Sequence, residues 1–291
     1  MGKFLKVWSK RGGKLLANTI DILKDAQKNK YAVAAFSIYN LETAQAAINV
    51  ANQEQQPVIL AVGERYFSTV DVEGFSMFIK TLVQKSNVPI GLHLDHAYKK
   101  ESIIRAIKNG FTSVMFDGSK YPFEENVRLT KEVAEIAHLA EISIEAEIGS
   151  LARGAFSDEE EGSGTLTNPT LAEEFVKETN IDFLAAAIGT VHGLYISDPK
   201  IDLTLLEQIR ERVSVPLVLH GGSDTPDREL REVIERGICK ININTDISVE
   251  AMKFLKGSLK DDDYPHLSFV MEEMQKVMEK RMTKMVRLFK G

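Results

Sequence analysis

Four of the six histidines in the chain stand at or just after the end of a short apolar segment. His93 and His96 belong to VPIGLHLDHA, His220 ends VPLVLH, and His192 follows DFLAAAIG closely. Imidazole is the commonest side-chain ligand of zinc, and three protein ligands with one open position make a catalytic site. We predict that His96, His192 and His220 bind a catalytic metal ion. We expect His93, which lies deeper, to be a hydrogen-bonded core residue.

Carboxylates occur at the same segment ends. Asp95 adjoins a histidine, Asp117 ends TSVMFD, and Glu145 and Glu147 lie near the end of ISIEAEIG. A charged side chain among Val, Ile and Leu is costly to bury unless it is paired or bound to a cation. We interpret Asp95 as a general acid or base beside the metal, and Glu147 and Asp117 as alternative metal ligands. We expect structural salt bridges to be the weaker explanation of this cluster.

Two glycines and a serine follow directly after His220 in VPLVLHGGS. Glycine lets the backbone approach a ligand closely, and the loops after strands seven and eight of a barrel often bind phosphate through N–H groups. A Gly-Gly-Ser sequence alone is also typical of a plain turn, but beside three histidines it favours a phosphate site. The residues predicted for that site are Gly221, Gly222, Ser223, Asn242, Ile243, Asn244 and Thr245.

Eight short apolar segments alternate with segments of helical periodicity. The apolar segments are residues 32–37, 57–62, 88–95, 112–117, 142–149, 182–189, 215–221 and 239–242. This alternation predicts an α/β fold, a (β/α)₈ TIM barrel, as a single domain over residues 1–291. A doubly wound sheet would have fewer units and a glycine-rich sequence after its first strand, where this chain has Ser-Ile-Tyr-Asn. In a barrel the C-terminal ends of all strands share one face, which would bring the residues above together.

Three further segments interrupt or flank the alternation. Residues 150–168 are rich in Gly, Ser and acids and are longer than a barrel loop needs, so we expect an active-site lid. Residues 265–289 predict an amphipathic C-terminal helix whose Met and Val stripe packs in the core or at a subunit interface. The basic residues 1–16 predict a short helical extension that caps the fold or meets a neighbouring subunit.

Composition excludes several classes of partner. A net charge of -6 argues against nucleic acid, because binding to phosphate backbones depends on clustered Lys and Arg. The chain has one cysteine, Cys239, so no intramolecular disulfide is expected and the cytoplasm fits best. We find no apolar run long enough to span a membrane and expect no membrane partner.

Five motifs in order, HLDHA, EAEIG, GTVHGLY, HGGS and NINTD, resemble the class II, zinc-dependent ketose-bisphosphate aldolases of the fructose- and tagatose-bisphosphate type. The similarity extends over about residues 32–246. It implies that Asp95 is the catalytic acid/base and that His96, His192 and His220 bind the catalytic Zn²⁺. It also implies that Glu147 and Asp117 match positions that hold a second or displaced divalent metal ion.

The resemblance further implies that the phosphate site receives dihydroxyacetone phosphate, with Gly193 as an additional contact and a monovalent cation nearby. It implies a homodimer or homotetramer acting on a small phosphorylated sugar. The chemistry agrees with the residues, because a Lewis acid can absorb the charge left when a ketose phosphate is cleaved. The alternative, a Schiff base, needs a desolvated lysine inside the barrel, and the strands offer only Lys240, near the start of the eighth.

The sequence departs from the family in the loop after the fifth strand and, at Ser37 and Gly63, at the end of the site that meets the aldehyde. Residues 151–156 read LARGAF where the family has Leu-Gly-Gly and nearby acids, and the first acids follow at residues 158–161. Either a lid delivers Glu159, Glu160 or Glu161, or another base exchanges the dihydroxyacetone phosphate proton, or these acids form a solvated loop tip. Ser37 and Gly63 replace the usual Asn and Ser.

These departures leave the aldehyde open. Besides a fructose- or tagatose-bisphosphate aldolase that releases glyceraldehyde 3-phosphate, two alternatives remain. One is a dihydroxyacetone-phosphate aldolase for a different, non-glycolytic aldehyde. The other is a sugar-phosphate-binding accessory or regulatory subunit with weak catalysis.

Overall fold

A closed barrel of eight parallel strands organises the chain in this computed structural model, which describes residues 15–160, 162–259 and 265–290. The strands follow one another around the barrel in chain order, and the last pairs with the first. The predicted TIM barrel is therefore confirmed. The predicted N-terminal helical extension lies, up to residue 14, outside the described residues, and Leu16 forms an isolated bridge to Ile90.

The barrel strands are short and almost completely buried, as expected of parallel strands covered on both sides. Their burial explains the near-continuous apolar runs seen in the sequence. The strands are β1 (Val33–Ser37), β2 (Val58–Gly63), β3 (Ile90–Ala97), β4 (Ser113–Phe116), β5 (Ser143–Ile148), β6 (Phe183–Ala186), β7 (Leu217–Leu219) and β8 (Ile238–Ile243).

Ten α-helices lie within the described residues, and several begin at a side-chain cap. Asn40 accepts a hydrogen bond from the backbone N–H of Thr43, and Asn168 caps a helix that opens with Pro169. The helices are α1 (Thr19–Asn29), α2 (Leu41–Glu54), α3 (Val72–Val83), α4 (Lys100–Lys108), α5 (Phe123–Leu139), α6 (Pro169–Thr179), α7 (Leu203–Arg212), α8 (Asp227–Glu235), α9 (Thr245–Ser258) and α10 (Leu267–Phe289).

Helix α1 closes the N-terminal end of the barrel. Its Ile22 and Leu23 are fully buried in a cluster with Phe183 and Cys239 from the strands. In the described residues the barrel interior is therefore apolar and filled at this end, and the polar side chains lie at the opposite face, where the strands end.

Helix α10 is the C-terminal amphipathic helix that the sequence predicts. It packs against α2 and α9, and Met274, Met278, Met282 and Met285 are buried in the main core. Core packing, one of the two predicted roles for this stripe, is confirmed. No helix in the described part of the chain combines the length and apolarity needed to cross a bilayer.

Candidate active site

A bulge near the end of β3 directs two consecutive side chains toward the barrel mouth. Neighbouring residues of a strand normally point to opposite faces. Here His96 has a left-handed φ of 44°, and the pairing of β3 with β4 shifts register between Leu94 and Ala97. Asp95 and His96 therefore both reach the site, where their ligand atoms lie within 4.8 Å of each other.

The three histidines predicted as metal ligands come together at this mouth. Ligand atoms of His96, His192 and His220 all lie within 4.8 Å of one another. The ring centroids are 4.6 Å apart for His96 and His220, and 5.0 Å apart for His96 and His192. The residues come from the end of β3, the segment after β6 and the position directly after β7, so the closed barrel brings them together.

Carboxylates orient two of these rings. Nδ1 of His96 lies 2.9 Å from Oδ2 of Asp117, and Nε2 of His220 lies 2.8 Å from Oε1 of Glu145. Histidines that bind a metal through one nitrogen usually donate the other N–H to such an acceptor. His96, Asp117 and Glu147 form a second group of neighbouring ligand atoms, as expected for an alternative metal position.

Two buried atoms in the cluster have no hydrogen-bond partner among the described residues. They are Nδ1 of His220 and Oε2 of Glu147, which lie 3.1 Å apart without hydrogen-bond alignment. Buried polar atoms are seldom left unpaired. A metal ion would supply the missing partner, so the residues present fit a metal site.

The electrostatics of the cluster also favour a cation. Burial, together with the charges of His96 and His220, holds the pKa of His192 well below its usual value. Burial would lower the pKa of His220 too, but its contacts with Glu145 and then Glu147 raise it to about 9. Several carboxylates thus surround imidazoles that cannot all be protonated, a charge imbalance that a divalent ion would relieve.

Below the histidines lies a buried ion pair that the sequence interpretation undervalued. Nζ of Lys240 and Oε2 of Glu145 are 2.7 Å apart, and both side chains are fully buried. For Glu145, the expectation that a structural salt bridge is the weaker explanation is therefore wrong. The strong attraction of a buried ammonium, reaching across the barrel interior from β8, is the physical reason.

His93 lies in the same buried layer. Its Nδ1 is 2.8 Å from Oγ of Ser113, and its Nε2 is 3.5 Å from the carboxylate of Glu145. Burial, and then the charge of Lys240, lowers the pKa of His93 to about 3. Its expected role as a hydrogen-bonded core histidine agrees with this position.

Asp95 lies at the boundary between this layer and the site. Nδ2 of Asn242 donates a hydrogen bond to Oδ1 of Asp95 at 3.1 Å. Burial would raise the pKa of Asp95, but the charges of His96, Lys240 and His220 outweigh it and hold the pKa below its usual range. The carboxylate is therefore ionised at neutral pH and can accept a proton from a ligand.

Asp95, His96 and His192 line a cavity at the barrel mouth, and the predicted phosphate site forms most of the rest of its wall. Gly193 and Gly221 have left-handed φ values of 107° and 72°, and a Cβ on Gly221 would lie 2.2 Å from the carbonyl oxygen of Val191. Oγ of Ser223 accepts hydrogen bonds from two backbone amides where α9 begins. The predicted residues that line the cavity are Gly193, Gly221, Ser223, Asn242, Asn244 and Thr245.

Two other residues predicted for the phosphate site do not line the cavity. The side chain of Ile243 is fully buried in the hydrophobic core. Gly222 packs against β8, where an added Cβ would lie 2.4 Å from Ile241. The turn and the strand end thus present Ser223 and Asn242 to the cavity, and a contact of Gly222 or Ile243 with phosphate stays a prediction.

The loop 150–168 covers the site and delivers one of the three acids that were singled out. Glu159 lies within 4.8 Å of the ligand atoms of Asp95 and His96, and burial raises its pKa. Glu160 instead pairs with Lys120 at the rim. Glu161 lies outside the described residues.

Arg65, directly after β2, holds this loop and was missed by sequence interpretation. Its Nη1 lies 2.5 Å from Oε1 of Glu159, and its Nε lies 3.1 Å from Oδ2 of Asp158. The rule that identified the histidines, a polar residue just after a strand, would also have singled out Arg65. Arginine is also common in exposed turns, so the residue type alone is not specific for a site.

A short ladder joins this loop to the segment that carries His192. Residues Ala152–Arg153 pair in parallel with Val191–His192, and Ala155 forms an antiparallel bridge with Leu194. We name these contacts the loop ladder. Because of it, the first part of loop 150–168 and the third histidine form one unit.

A parallel barrel with clustered imidazoles, a buried aspartate and glycine-lined loops at its C-terminal face is typical of metal-assisted barrel enzymes. Comparison with known families narrows this class, because residues 17–291 match the family described as fructose-bisphosphate aldolase class-II. The chain belongs to that family, and membership supports aldol cleavage as its reaction.

Solved structures agree with this assignment. The chain is 35% identical to the YdjI aldolase from Escherichia coli K12, with a TM-score of 0.85 over 94% of this chain and 97% of that chain. It is 32% identical to a putative fructose-1,6-biphosphate aldolase from Coccidioides immitis, with a TM-score of 0.85 over 94% and 96% of the two chains. Fructose-bisphosphate aldolase from Campylobacter jejuni, at 19% identity and a TM-score of 0.77 over 93% of both chains, shares the fold.

Proposed function

We propose that the protein catalyses the reversible cleavage of a ketose 1-phosphate or 1,6-bisphosphate to dihydroxyacetone phosphate and an aldehyde, with zinc held by His96, His192 and His220. The main support is the placement of these imidazoles between a buried, ionised aspartate and a glycine-lined cavity wall. Zinc bound there would act as a Lewis acid and stabilise the negative charge that develops on the dihydroxyacetone phosphate half.

Asp95 transfers the proton at the new aldehyde. In cleavage its carboxylate accepts the proton of the C4 hydroxyl, and in condensation it returns that proton. Asn242 holds one oxygen of the carboxylate by a hydrogen bond, which orients the group. The lowered pKa of Asp95 keeps the carboxylate ionised, and therefore unprotonated, at neutral pH.

Glu159 exchanges the other proton, on C3 of dihydroxyacetone phosphate. Only 13% of its side chain is exposed, and burial raises its pKa, which brings it closer to that of an effective proton carrier. The contact with Arg65 holds Glu159 near Asp95 and His96. For the acidic loop we therefore favour delivery of a base to the site over a solvated loop tip.

The backbone around Gly193 and Gly221 binds the phosphate of dihydroxyacetone phosphate. Both glycines adopt backbone conformations that other residues rarely do, and Ser223 ties the turn after β7 to the start of α9. The N-terminal end of a helix attracts an anion through its free N–H groups and its dipole. We name Gly193, Gly221 and Ser223 the phosphate cradle. The cradle lines the same cavity as His96 and His192, so one ligand can contact both.

The test measures two reactions of the zinc-loaded protein. The first is exchange of the C3 proton of dihydroxyacetone phosphate with deuterium, followed by NMR. The second is cleavage across a panel of ketose phosphates. We expect the protein to catalyse both reactions. If it catalyses neither, the proposed enzymatic function is wrong and the accessory-subunit alternative is left.

Two variants separate the roles of the site residues. Asp95→Asn should retain zinc and lose cleavage, because the amide cannot accept the proton, whereas loss of zinc would show that Asp95 is structural. Glu159→Gln should lose proton exchange while retaining zinc. Glu173→Gln, which changes an exposed glutamate paired with Arg212 on the outer surface, is the matched control and should behave as the wild type.

A further inference from the structure

A second cavity opens on the other side of the histidine cluster. Its volume is about 580 Å³, and it adjoins His96 and Asp117. The segments after β2, β3 and β4 contribute Arg65, Tyr98 and Lys120 to its wall. Because the cavity lies next to the histidine cluster, part of a substrate bound at the histidines can reach it.

The strand order places this cavity opposite the phosphate cradle. The cradle belongs to the segments after β6, β7 and β8, and in the closed order of eight strands these face β2, β3 and β4. A ketose phosphate whose phosphate lies in the cradle and whose reacting carbons lie at the histidines would therefore direct its other end into the second cavity. That end is the part released as the aldehyde.

Two cations of the cavity wall, Arg65 and Lys120, pair with carboxylates of one loop. Arg65 binds Asp158 and Glu159, and Lys120 binds Glu160. The acids are consecutive in loop 150–168, whereas the cations are attached to the barrel. Only 21% of the Arg65 side chain is exposed, so the guanidinium is a largely desolvated cation at the cavity edge.

Gly63 provides the space that Arg65 occupies. A Cβ on Gly63 would lie 2.6 Å from Nη1 of Arg65 and 3.0 Å from Cζ. Any larger residue at this strand end would therefore displace the guanidinium from its present position. The position of the Arg65 guanidinium in the cavity wall therefore depends on a glycine at residue 63.

We propose that Arg65 binds an anionic group at the far end of the aldehyde half, and that this group displaces the carboxylate of Asp158 from the guanidinium while Glu159 stays in contact with it. The inference rests on the proposed aldolase function and names the class of its second substrate, an aldehyde ending in a carboxylate or a phosphate. The planar guanidinium matches either group through two parallel hydrogen bonds.

The test compares matched aldehydes in condensation with dihydroxyacetone phosphate. Glyceraldehyde 3-phosphate is compared with glyceraldehyde, and succinic semialdehyde with butanal. The readout is the ratio of kcat/KM for the anionic to the neutral member of each pair. This ratio cancels effects on the steps that both aldehydes share, including proton transfer by Glu159. The pair with the larger ratio identifies phosphate or carboxylate as the preferred anion.

In the wild type the ratio should exceed one for at least one pair. Arg65→Met should lower it by roughly 10- to 100-fold, because hydrogen bonds to a charged group are lost. Gly63→Ser, which keeps the arginine but crowds it, should lower the ratio in the same direction. Asp158→Asn should raise the ratio, because it removes a competing negative charge. Arg212→Met, at an exposed arginine of α7, should leave it unchanged.

Each outcome has a distinct meaning. Turnover with an unchanged ratio in Arg65→Met would overturn the anion site while leaving the aldolase function intact. A lower ratio in Asp158→Asn would overturn the displacement of Asp158. Failure of every aldehyde, neutral members included, together with failure of the ketose phosphate panel, would overturn the proposed function and the aldehyde site with it.

Discussion

The buried ion pair between Lys240 and Glu145 provides a demanding test of the barrel interior. We predict that Lys240→Met destabilises the protein by about 3–5 kcal/mol, the range observed when one partner of a buried pair is removed. Methionine retains most of the volume of lysine, so the packing contribution is small. The loss arises because Glu145 keeps its charge without the ammonium 2.7 Å away. Its other contacts do not replace the ammonium, because His93 has a lowered pKa of about 3 and the charge of His220 is shared with Glu147.

Equilibrium urea unfolding of the metal-free protein measures this change. Lys253→Met, which removes an exposed lysine paired with Glu250, is the matched control and should cost less than about 1 kcal/mol. A double-mutant cycle with Glu145→Leu should give a coupling energy of at least about 2 kcal/mol, because loss of both charges removes the unpaired carboxylate. A cost below about 1 kcal/mol for Lys240→Met, or a coupling near zero, would refute the reasoning.

Three further substitutions test the site itself. Asp117→Asn should weaken zinc binding by about 10- to 100-fold, because the carboxylate that orients His96 is lost. Titration against a chelator measures the zinc affinity, and an unchanged affinity would contradict the role of Asp117 in orienting His96. Gly221→Ala should cost about 1–3 kcal/mol by thermal unfolding, because alanine is strained at this φ and its Cβ meets the carbonyl of Val191; an unchanged melting temperature would contradict the backbone argument. Ser223→Ala should cost about 1 kcal/mol and raise KM for dihydroxyacetone phosphate, because two amides at the start of α9 lose their acceptor; an unaltered KM would exclude the serine from the cradle.

Much of the fold follows from local pattern. The eight apolar segments correspond to the eight barrel strands, because buried parallel strands need apolar side chains on both faces. The histidine cluster was predictable for a related reason. Once a barrel is inferred, the strand ends must meet at one face, whatever their separation in sequence. His96, His192 and His220 could therefore be grouped without any knowledge of distance.

Features that depend on exact backbone geometry could not be predicted in this way. Regular alternation would place Asp95 and His96 on opposite sides of β3, and only the bulge allows both to face the site. The partner of Glu145 was also hidden, because Lys240 lies 95 residues away and appears in the sequence merely as an early residue of β8. Such pairings are set by the radial packing inside the barrel, which has no local signal.

The loop ladder divides loop 150–168 into two parts with different freedom to vary. Residues up to Ala155 are bonded to the segment of His192, so an insertion there would move this predicted metal ligand. Beyond Ala155 the chain leaves the ladder and carries the acids that contact Arg65 and Lys120. New aldehyde preferences could therefore evolve by changes of length and charge in the second part, while the catalytic centre stays in place.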